Sequence, residues 1–152
     1  MIRSAVAVWK GSPLIGEGQV STSSGVLSNA LYATGSSTGN EPCTSPSEML
    51  AAAVASCMSL MVVQEMRREG MKPQLVKTES SLTLEDKKGQ WEITEIDSNI
   101  TVSLPGASEK KVHHAVTIAK GKCPISRALN VPIKVMAVMA KVQAVEAESV
   151  TA

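Results

Sequence analysis

Cys57 and Cys123 are the residues whose surroundings in the sequence could support chemistry. Cys57 lies in the middle of a long apolar stretch that predicts a helix, and the residues sharing its helical face are also apolar. A thiol in apolar surroundings has a raised pKa and is inert unless a cation lies close to it. Taken alone, Cys57 is therefore interpreted as a small core residue.

Cys123 has a different setting. Pro124 follows it and suits the first position of a helix, which places the thiol at a helix N-terminus. Lys120 and Lys122 precede Cys123, and Arg127 follows it. A helix start and nearby cations both lower the pKa of a thiol. Taken alone, Cys123 is interpreted as a weak N-cap residue. A pair of cysteines placed in these two ways, however, favours a two-cysteine peroxidase, in which a second thiol traps the sulfenic acid formed on the first.

The other candidate sites are weak. The third cysteine, Cys43, lies in a loop and is interpreted as incidental. His113 and His114 point about 100° apart on a helix and have no further ligands near them in the sequence, so we expect no metal site. The net charge of +1 gives no electrostatic reason to expect nucleic acid or an anionic membrane surface as a partner.

The cysteine usage and the hydropathy pattern predict a cytoplasmic protein. Three scattered cysteines do not form the framework of a secreted disulfide scaffold. The N-terminal residues lack the pattern of a signal peptide. The longest stretch of low charge, residues 49–63, is 15 residues long, whereas roughly 18 to 20 are needed to span a bilayer.

Strands are predicted on both sides of the apolar stretch. The first third alternates and turns in a way that predicts strands over residues 4–9, 19–22 and 26–32, followed by an irregular loop over residues 34–42. After Pro73, alternating runs predict a three-stranded meander and one last strand, over residues 74–84, 91–96, 99–104 and 131–138.

Helix start and stop signals predict three helices. Ser45 and Glu48 form a capping box that predicts the start of a helix running to about residue 69 and apolar nearly all round. Ser108 and Gly121 predict the limits of a second helix, and a short third helix is predicted from Cys123 to about Leu129.

These elements predict an α+β fold in which helices pack on mostly antiparallel sheets around a central buried helix. The length of 152 residues favours one domain over residues 1–152. A helix without a polar side is covered on most sides, so we expect it to be held by a sheet or shared with a second subunit.

Three segments of the chain resemble the OsmC/Ohr family of organic hydroperoxide reductases, and its OsmC branch most closely. They are GQVSTSSGVL at residues 18–27, TSPSEMLAAAVASC at residues 44–57 and KGKCPIS at residues 120–126. The similarity extends from Ala7 to about Met139, with the segments in the family's order and spacing.

The resemblance implies an interlocked homodimer with the central helices at its heart. It also implies that Cys57 is the peroxidatic cysteine, which attacks an organic hydroperoxide, and that Cys123 is the resolving cysteine, which closes a disulfide with it. The family's disulfide is reduced by external dithiols, typically the lipoyl groups of lipoylated proteins, and we expect no bound cofactor.

The sequence departs from the family at two charged positions of the active site. The family's arginine position falls on Ser37, and the position of the glutamate that pairs with it falls on Ser47. If only one of the two charges were lost, the other would be buried without a partner. The loss of both keeps the site electrically consistent. Glu48 lies about 180° round the helix from Cys57, so we interpret it as the capping acid.

The missing arginine would have stabilised the Cys57 thiolate. Without a nearby opposite charge, a buried thiol at neutral pH is expected to be mostly protonated and slow to react. Lys120, Lys122 and Arg127 are the candidate substitutes, because they must approach Cys57 if the disulfide is to form.

Two functions remain open at this point. The first is an active peroxidase that reduces organic hydroperoxides through Cys57 and Cys123. The second is an altered relative that keeps both thiols but acts as a redox sensor or binds a hydrophobic small molecule, which suits the serines at positions 37 and 47. A purely structural module explains the placement of neither cysteine.

Overall fold

The computed structural model describes residues 1–12, 16–33, 37–38 and 41–140. The chain forms two compact units, residues 1–50 and residues 51 onward, and each is described by itself. The single domain expected over residues 1–152 stays a prediction.

The first unit contains short antiparallel strands. They are β1 (Ala5–Lys10), β2 (Glu17–Thr22), β3 (Ala30–Tyr32), β4 (Ser37–Thr38) and β5 (Glu41–Pro42). The strands β1, β2 and β3 form one sheet in that order, and β4 pairs with β5. Gly18 lies opposite Tyr32 in this sheet, and a Cβ atom at Gly18 would come within 2.5 Å of the tyrosine ring.

Two predictions for this unit are corrected. The third strand is shorter than residues 26–32, because the backbone of Asn29 has a positive φ of 51° that ends the extended conformation just before β3. The expected irregular loop over residues 34–42 contains the β4–β5 pair, and the rest of that loop lies outside the described residues.

The helix α1 (Pro46–Arg68) begins in the first unit and continues in the second, as the capping signals predict. The remaining elements follow in the second unit. They are β6 (Leu75–Lys87), β7 (Gln90–Ser103), α2 (Glu109–Lys122), α3 (Pro124–Ala128) and β8 (Ile133–Met139).

The predicted three-stranded meander is wrong, because it is a single long hairpin of β6 and β7. The tight turn lies at Lys88 and Gly89, whose positive φ values of 58° and 83° suit a two-residue hairpin turn. The residues between the two predicted runs, 97 and 98, stay within β7. Ser98 is buried there and bonds across the pair to Ser80, with the two Oγ atoms 2.8 Å apart.

The strand β8 completes a mixed sheet in the order β6-β7-β8 by pairing parallel to β7. A parallel pair needs a long crossover connection. The segment that contains α2 and α3 supplies it, and this crossover carries Cys123.

The helix α2 is longer than predicted. Gly121 does not end it, because the helix continues to Lys122 and Cys123 forms its C-cap, with the Cys123 N–H donating to the Ala119 carbonyl over 2.9 Å. Ser108 occupies the N-cap position, but its side chain makes no capping bond.

The core of the second unit lies between α1, α2 and the sheet. On α1 it is formed by a stripe of residues one turn apart, namely Val54, Met58, Val62 and Met66, all fully buried. Three of these, Met58, Val62 and Met66, pack in one cluster with buried residues of β7, α2 and β8. On the other side of α1, Leu60 is 55% exposed.

By length and composition alone, α1 could cross a membrane, and the core helices of soluble proteins meet the same criterion. The helix is 23 residues long, which exceeds the 15-residue stretch seen in the sequence. Its stripe of buried residues packs on α2 and the sheet, as a core helix does.

Candidate active site

The start of α1 is fixed by the predicted capping box. The Ser45 N–H donates to Glu48 Oε2 over 2.9 Å, and the Glu48 N–H donates to Ser45 Oγ over 3.2 Å. This reciprocal pair confirms Glu48 as the capping acid. Ser47 Oγ lies 3.0 Å from Ser45 Oγ, so the hydroxyl at the family's glutamate position takes part in the same cap.

Ser37, at the family's arginine position, lies in β4. Its side chain is outside what the structure describes, so any supporting role for it stays a prediction.

Cys57 lies in the middle of α1, beside the buried stripe rather than within it. It is half-buried and packs against the core cluster together with Met61. Its thiol therefore has apolar surroundings, as the sequence predicts.

Cys123 is fully buried at the junction of α2 and α3. It ends one helix and begins the next, and its Sγ accepts a hydrogen bond from the Ser126 N–H over 3.5 Å. The N-cap position predicted from Pro124 is confirmed.

The fold brings the two thiols into direct contact. Cys57 Sγ and Cys123 Sγ lie 2.9 Å apart although 66 residues separate them in the chain. No disulfide joins the two cysteines in this structure. A disulfide is about 2.05 Å long, so bond formation requires a movement of less than about 1 Å.

The surroundings of Cys57 raise its pKa. Burial is the largest cause, and the contact with the Cys123 thiol adds to it, while a backbone hydrogen bond from Ile125 acts weakly in the opposite direction. Among the described residues, no cation lowers the pKa of Cys57. The protonated state predicted from the missing arginine is therefore the favoured state of Cys57 at neutral pH.

The pKa of Cys123 is lowered, although burial is the largest single influence and opposes the charge. The hydrogen bonds from Cys57, from the Ser126 side chain and from the N–H groups of Ser126 and Ile125 together outweigh that burial. In the reduced pair, the first negative charge therefore forms on Cys123.

Lys122, one of the expected substitutes for the arginine, is bound elsewhere. Its Nζ lies 2.8 Å from Oε2 of Glu65, whose residue is only 5% exposed, and Arg68 bonds the other carboxylate oxygen. The hydrogen bond from Lys122 is the main reason that the pKa of Glu65 is lowered. This ion-pair network ties the last turn of α2, directly before Cys123, to α1.

Lys120 and Arg127 line a cavity of about 330 Å³ between α2, α3 and the start of β8. Ser126 lines the same cavity. Neither of these two cations has an ion-pair partner in the described part of the chain, so both remain available to an anionic group that enters the cavity.

The remaining candidates lie apart from the pair. Cys43 is half-buried between β5 and α1. His113 Nε2 lies 3.8 Å from Glu109 and His114 Nε2 lies 3.9 Å from Glu69. Within the described ranges, no group of three or more histidine, cysteine or acidic side chains is placed to hold a metal.

Two residues of the site were missed from the sequence. Glu65 is the only acidic residue between Glu48 and Glu69 in an apolar helix, and a buried acid in such a helix requires a cation as partner. Ser126 closes the KGKCPIS segment, and its position three residues after an N-cap thiol was the available signal.

Comparison with known proteins extends these observations. A family model described as "OsmC-like protein" matches residues 38–137. The peroxiredoxin OsmC of Escherichia coli (strain K12) is 31% identical over 127 residues, which cover 84% of this chain and 89% of the relative. The peroxiredoxin OsmC of Shigella flexneri matches to the same extent.

Solved structures share the fold. An OsmC-like protein of unknown function from Vibrio cholerae matches with a TM-score of 0.75 at 16% identity, covering 91% of this chain and 99% of that chain. The organic hydroperoxide resistance protein OhrB of Bacillus subtilis matches with a TM-score of 0.67 at 19% identity, covering 89% and 98%. These likenesses confirm the predicted α+β fold.

Proposed function

The chain belongs to the OsmC-like family, and from that premise we propose that it is a thiol-dependent peroxidase that reduces organic hydroperoxides. Its similarity to the peroxiredoxin OsmC supports a peroxidase-type enzyme. The observation that carries the finer proposal is the 2.9 Å contact between Cys57 Sγ and Cys123 Sγ.

The proposed cycle uses each thiol once. The sulfur of Cys57 attacks the terminal oxygen of R–O–OH, the O–O bond breaks, and the alcohol R–OH leaves, so that Cys57 becomes a sulfenic acid. Cys123 then attacks that sulfur, water leaves, and a disulfide joins Cys57 to Cys123. The peroxide is reduced by two electrons, which the two thiols supply.

The packing around Cys57 favours an alkyl hydroperoxide over hydrogen peroxide. Cys57 and Met61 lie against the apolar cluster that contains Met58 and Val62. An alkyl group gains free energy by leaving water for such surroundings, whereas hydrogen peroxide has no apolar surface to bury.

The disulfide must be reduced again by an external dithiol, and we propose a lipoylated protein for this step, as in the family. The exchange needs an attacking thiolate that can reach one of the two sulfurs. Because Cys123 is fully buried and Cys57 is only half-buried, Cys57 is the proposed point of attack. A cycle that depends on reduced dithiols suits the cytoplasm.

We also propose a homodimer. The face of α1 away from the buried stripe carries exposed apolar side chains, with Leu60 55% and Val63 39% exposed. Large exposed apolar surface on a central helix favours a protein partner, and a second copy of the helix offers a matching surface.

The test is an assay of cumene hydroperoxide consumption with dihydrolipoamide as reductant. We expect turnover by the wild-type protein, no turnover by Cys57→Ser, and a mass spectrum showing one disulfide between Cys57 and Cys123 after peroxide treatment. Cys43→Ser is the matched control and keeps full activity. Turnover no higher than that of Cys57→Ser would remove the proposal.

The raised pKa of Cys57 supports a second candidate, in which the protein senses oxidants or binds an apolar small molecule without rapid turnover. In that case the dimer folds normally and the Cys57 thiol reacts with hydroperoxide only slowly and once. The same assay separates the two, because a sensor forms the disulfide but shows no sustained consumption of peroxide.

A further inference from the structure

In the dithiol form, Cys123 is placed to accept the proton of Cys57. The ionisable side chain in contact with its thiol is Cys123, at 2.9 Å. Of the charged groups nearby, Lys122 and Arg68 pair with Glu65. Lys120 and Arg127 line the cavity that Ser126 also lines, and neither contributes to the pKa of Cys57.

Ser126 has the position of a donor to a Cys123 thiolate. Its backbone N–H donates to Cys123 Sγ over 3.5 Å. Its Oγ is buried and makes no hydrogen bond among the described residues. A buried hydroxyl without a partner is unfavourable, and a negative charge on Cys123 gives it an acceptor.

We propose that Cys123 acts as the proton acceptor that activates Cys57, with Ser126 as the residue that holds its charge. This rests on the proposed peroxidase function and gives Cys123 a role before the disulfide step. In this role Cys123 takes the place of the arginine missing at position 37. Cys57 is then ionised by moving its proton to the neighbouring thiolate, and no added positive charge is needed.

The steps balance. The Cys57 proton moves to the Cys123 thiolate while the Cys57 sulfur attacks the terminal oxygen of R–O–OH, which leaves a sulfenic acid, an alkoxide RO⁻ and a Cys123 thiol. The alkoxide takes the proton from Cys123 and departs as R–OH. The restored Cys123 thiolate attacks the Cys57 sulfur, and the released hydroxide takes a proton from solvent to form water.

The site carries one negative charge from the resting pair until the hydroxide is released. A buried site without a cation favours such a route, because a second charge is never created in low-dielectric surroundings. The Ser126 donors act on the resting state, where the charge is on Cys123, and its hydroxyl is a positioning group that does not touch the peroxide.

The first test measures sulfenic acid formation in a single turnover, trapped on Cys57 with dimedone and quantified by mass spectrometry. If Cys123 acts only as the resolving cysteine, the Cys123→Ser variant forms the sulfenic acid on Cys57 at the wild-type rate. With Cys123 as base, the rate at pH 7 falls by about 10² or more, and it recovers as the pH rises and Cys57 ionises by itself. A wild-type rate in Cys123→Ser overturns the inference.

The outcomes for the two proposals are distinguishable. Wild-type protein that consumes no hydroperoxide overturns the peroxidase function itself, whereas active wild-type protein with an equally fast Cys123→Ser variant overturns only the role as base. Cys43→Ser again serves as control for the loss of one thiol.

The second test concerns Ser126. Ser126→Ala removes the hydroxyl donor and shifts the pH profile of the single-turnover rate to higher pH, while Ser126→Thr keeps a hydroxyl and restores the wild-type profile. Far-UV circular dichroism checks that both variants fold. A profile unchanged in folded Ser126→Ala overturns the assignment of Ser126.

Discussion

At the scale of single residues, the notable feature is that two sulfurs of the same chemistry have pKa values shifted in opposite directions. Cys57 is half-buried against apolar neighbours and its pKa is raised, whereas Cys123 is fully buried and its pKa is lowered. Burial alone therefore does not decide in which direction the pKa of each thiol is shifted. The hydrogen bonds that converge on Cys123 from α1 and α3 decide it.

These directions predict a two-step titration. In a Cys43→Ser background, thiolate absorbance at 240 nm should rise in one step below and one step above the ordinary cysteine pKa of about 8.5. The two values belong to the coupled pair.

Cys57→Ala should move the lower step to higher pH, because the Cys123 thiolate loses a hydrogen-bond donor. A single step at the ordinary value in the Cys43→Ser protein would contradict the charge distribution described for the pair.

At the scale of elements, α1 is held at both ends by polar contacts and along its length by apolar packing. The capping box of Ser45 and Glu48 fixes its start, and the network of Glu65, Lys122 and Arg68 joins its last turns to the end of α2. The contact between the sulfurs depends on the second of these attachments, since Cys123 follows Lys122 directly.

The cap is testable by one substitution. Ser45→Ala should lower the free energy of unfolding by about 1 kcal/mol, measured by urea denaturation. Ser56→Ala is the matched control, because it makes the same change at an exposed position inside the same helix, where alanine is slightly favourable. Equal effects from the two substitutions would exclude the capping role.

The network predicts an acid-dependent stability. The pKa of Glu65 is lowered in the folded state, so its stabilisation is complete above the ordinary glutamate value of about 4.3 and is lost as the pH falls through the lower folded value. Glu65→Gln should therefore reduce the melting temperature at pH 7, and the difference from wild type should shrink at lower pH.

Two further measurements accompany this substitution. Disulfide formation should also slow in Glu65→Gln, because the end of α2 is no longer tied to α1. Glu79→Gln breaks an exposed pair with Lys77 and should change stability little. A pH-independent effect of Glu65→Gln would count against the ion pair.

Local signals predicted most of these elements, and long-range pairing explains what they missed. The capping residues gave the start of α1, and Pro124 gave the start of α3. The two runs that make up β7 were predicted as separate strands, because the partner that buries Ser98 between them, Ser80, is distant in the sequence. The burial of Ser126 and Glu65 also depends on residues from other elements, and no local pattern contains that information.

At the scale of the whole molecule, the single chain leaves apolar surface uncovered on α1 and on β8. Leu60 and Val63 are exposed on the helix, and Met136 and Val138 are exposed on the strand at 64% and 53%. The described part of the chain leaves these residues exposed, and such apolar surface favours the proposed homodimer.

We therefore expect light scattering to give about twice the chain mass of 15.9 kDa. Leu60→Glu should produce a folded monomer, because a buried unpaired carboxylate in the interface is costly. Leu84→Glu, at an exposed position on β6, is the matched control and should remain dimeric. A wild-type monomer at micromolar concentration would rule the assembly out.

The separation of the two cysteines along the chain has one more consequence. Oxidation would join two cysteines that are 66 positions apart in the chain, and restricting an unfolded chain in this way stabilises the folded form by about 4 kcal/mol. The disulfide form would then resist heat and proteases better than the dithiol form. Reduction of the disulfide would return the chain to the less stable form. A melting curve would therefore report the fraction of a sample that is oxidised.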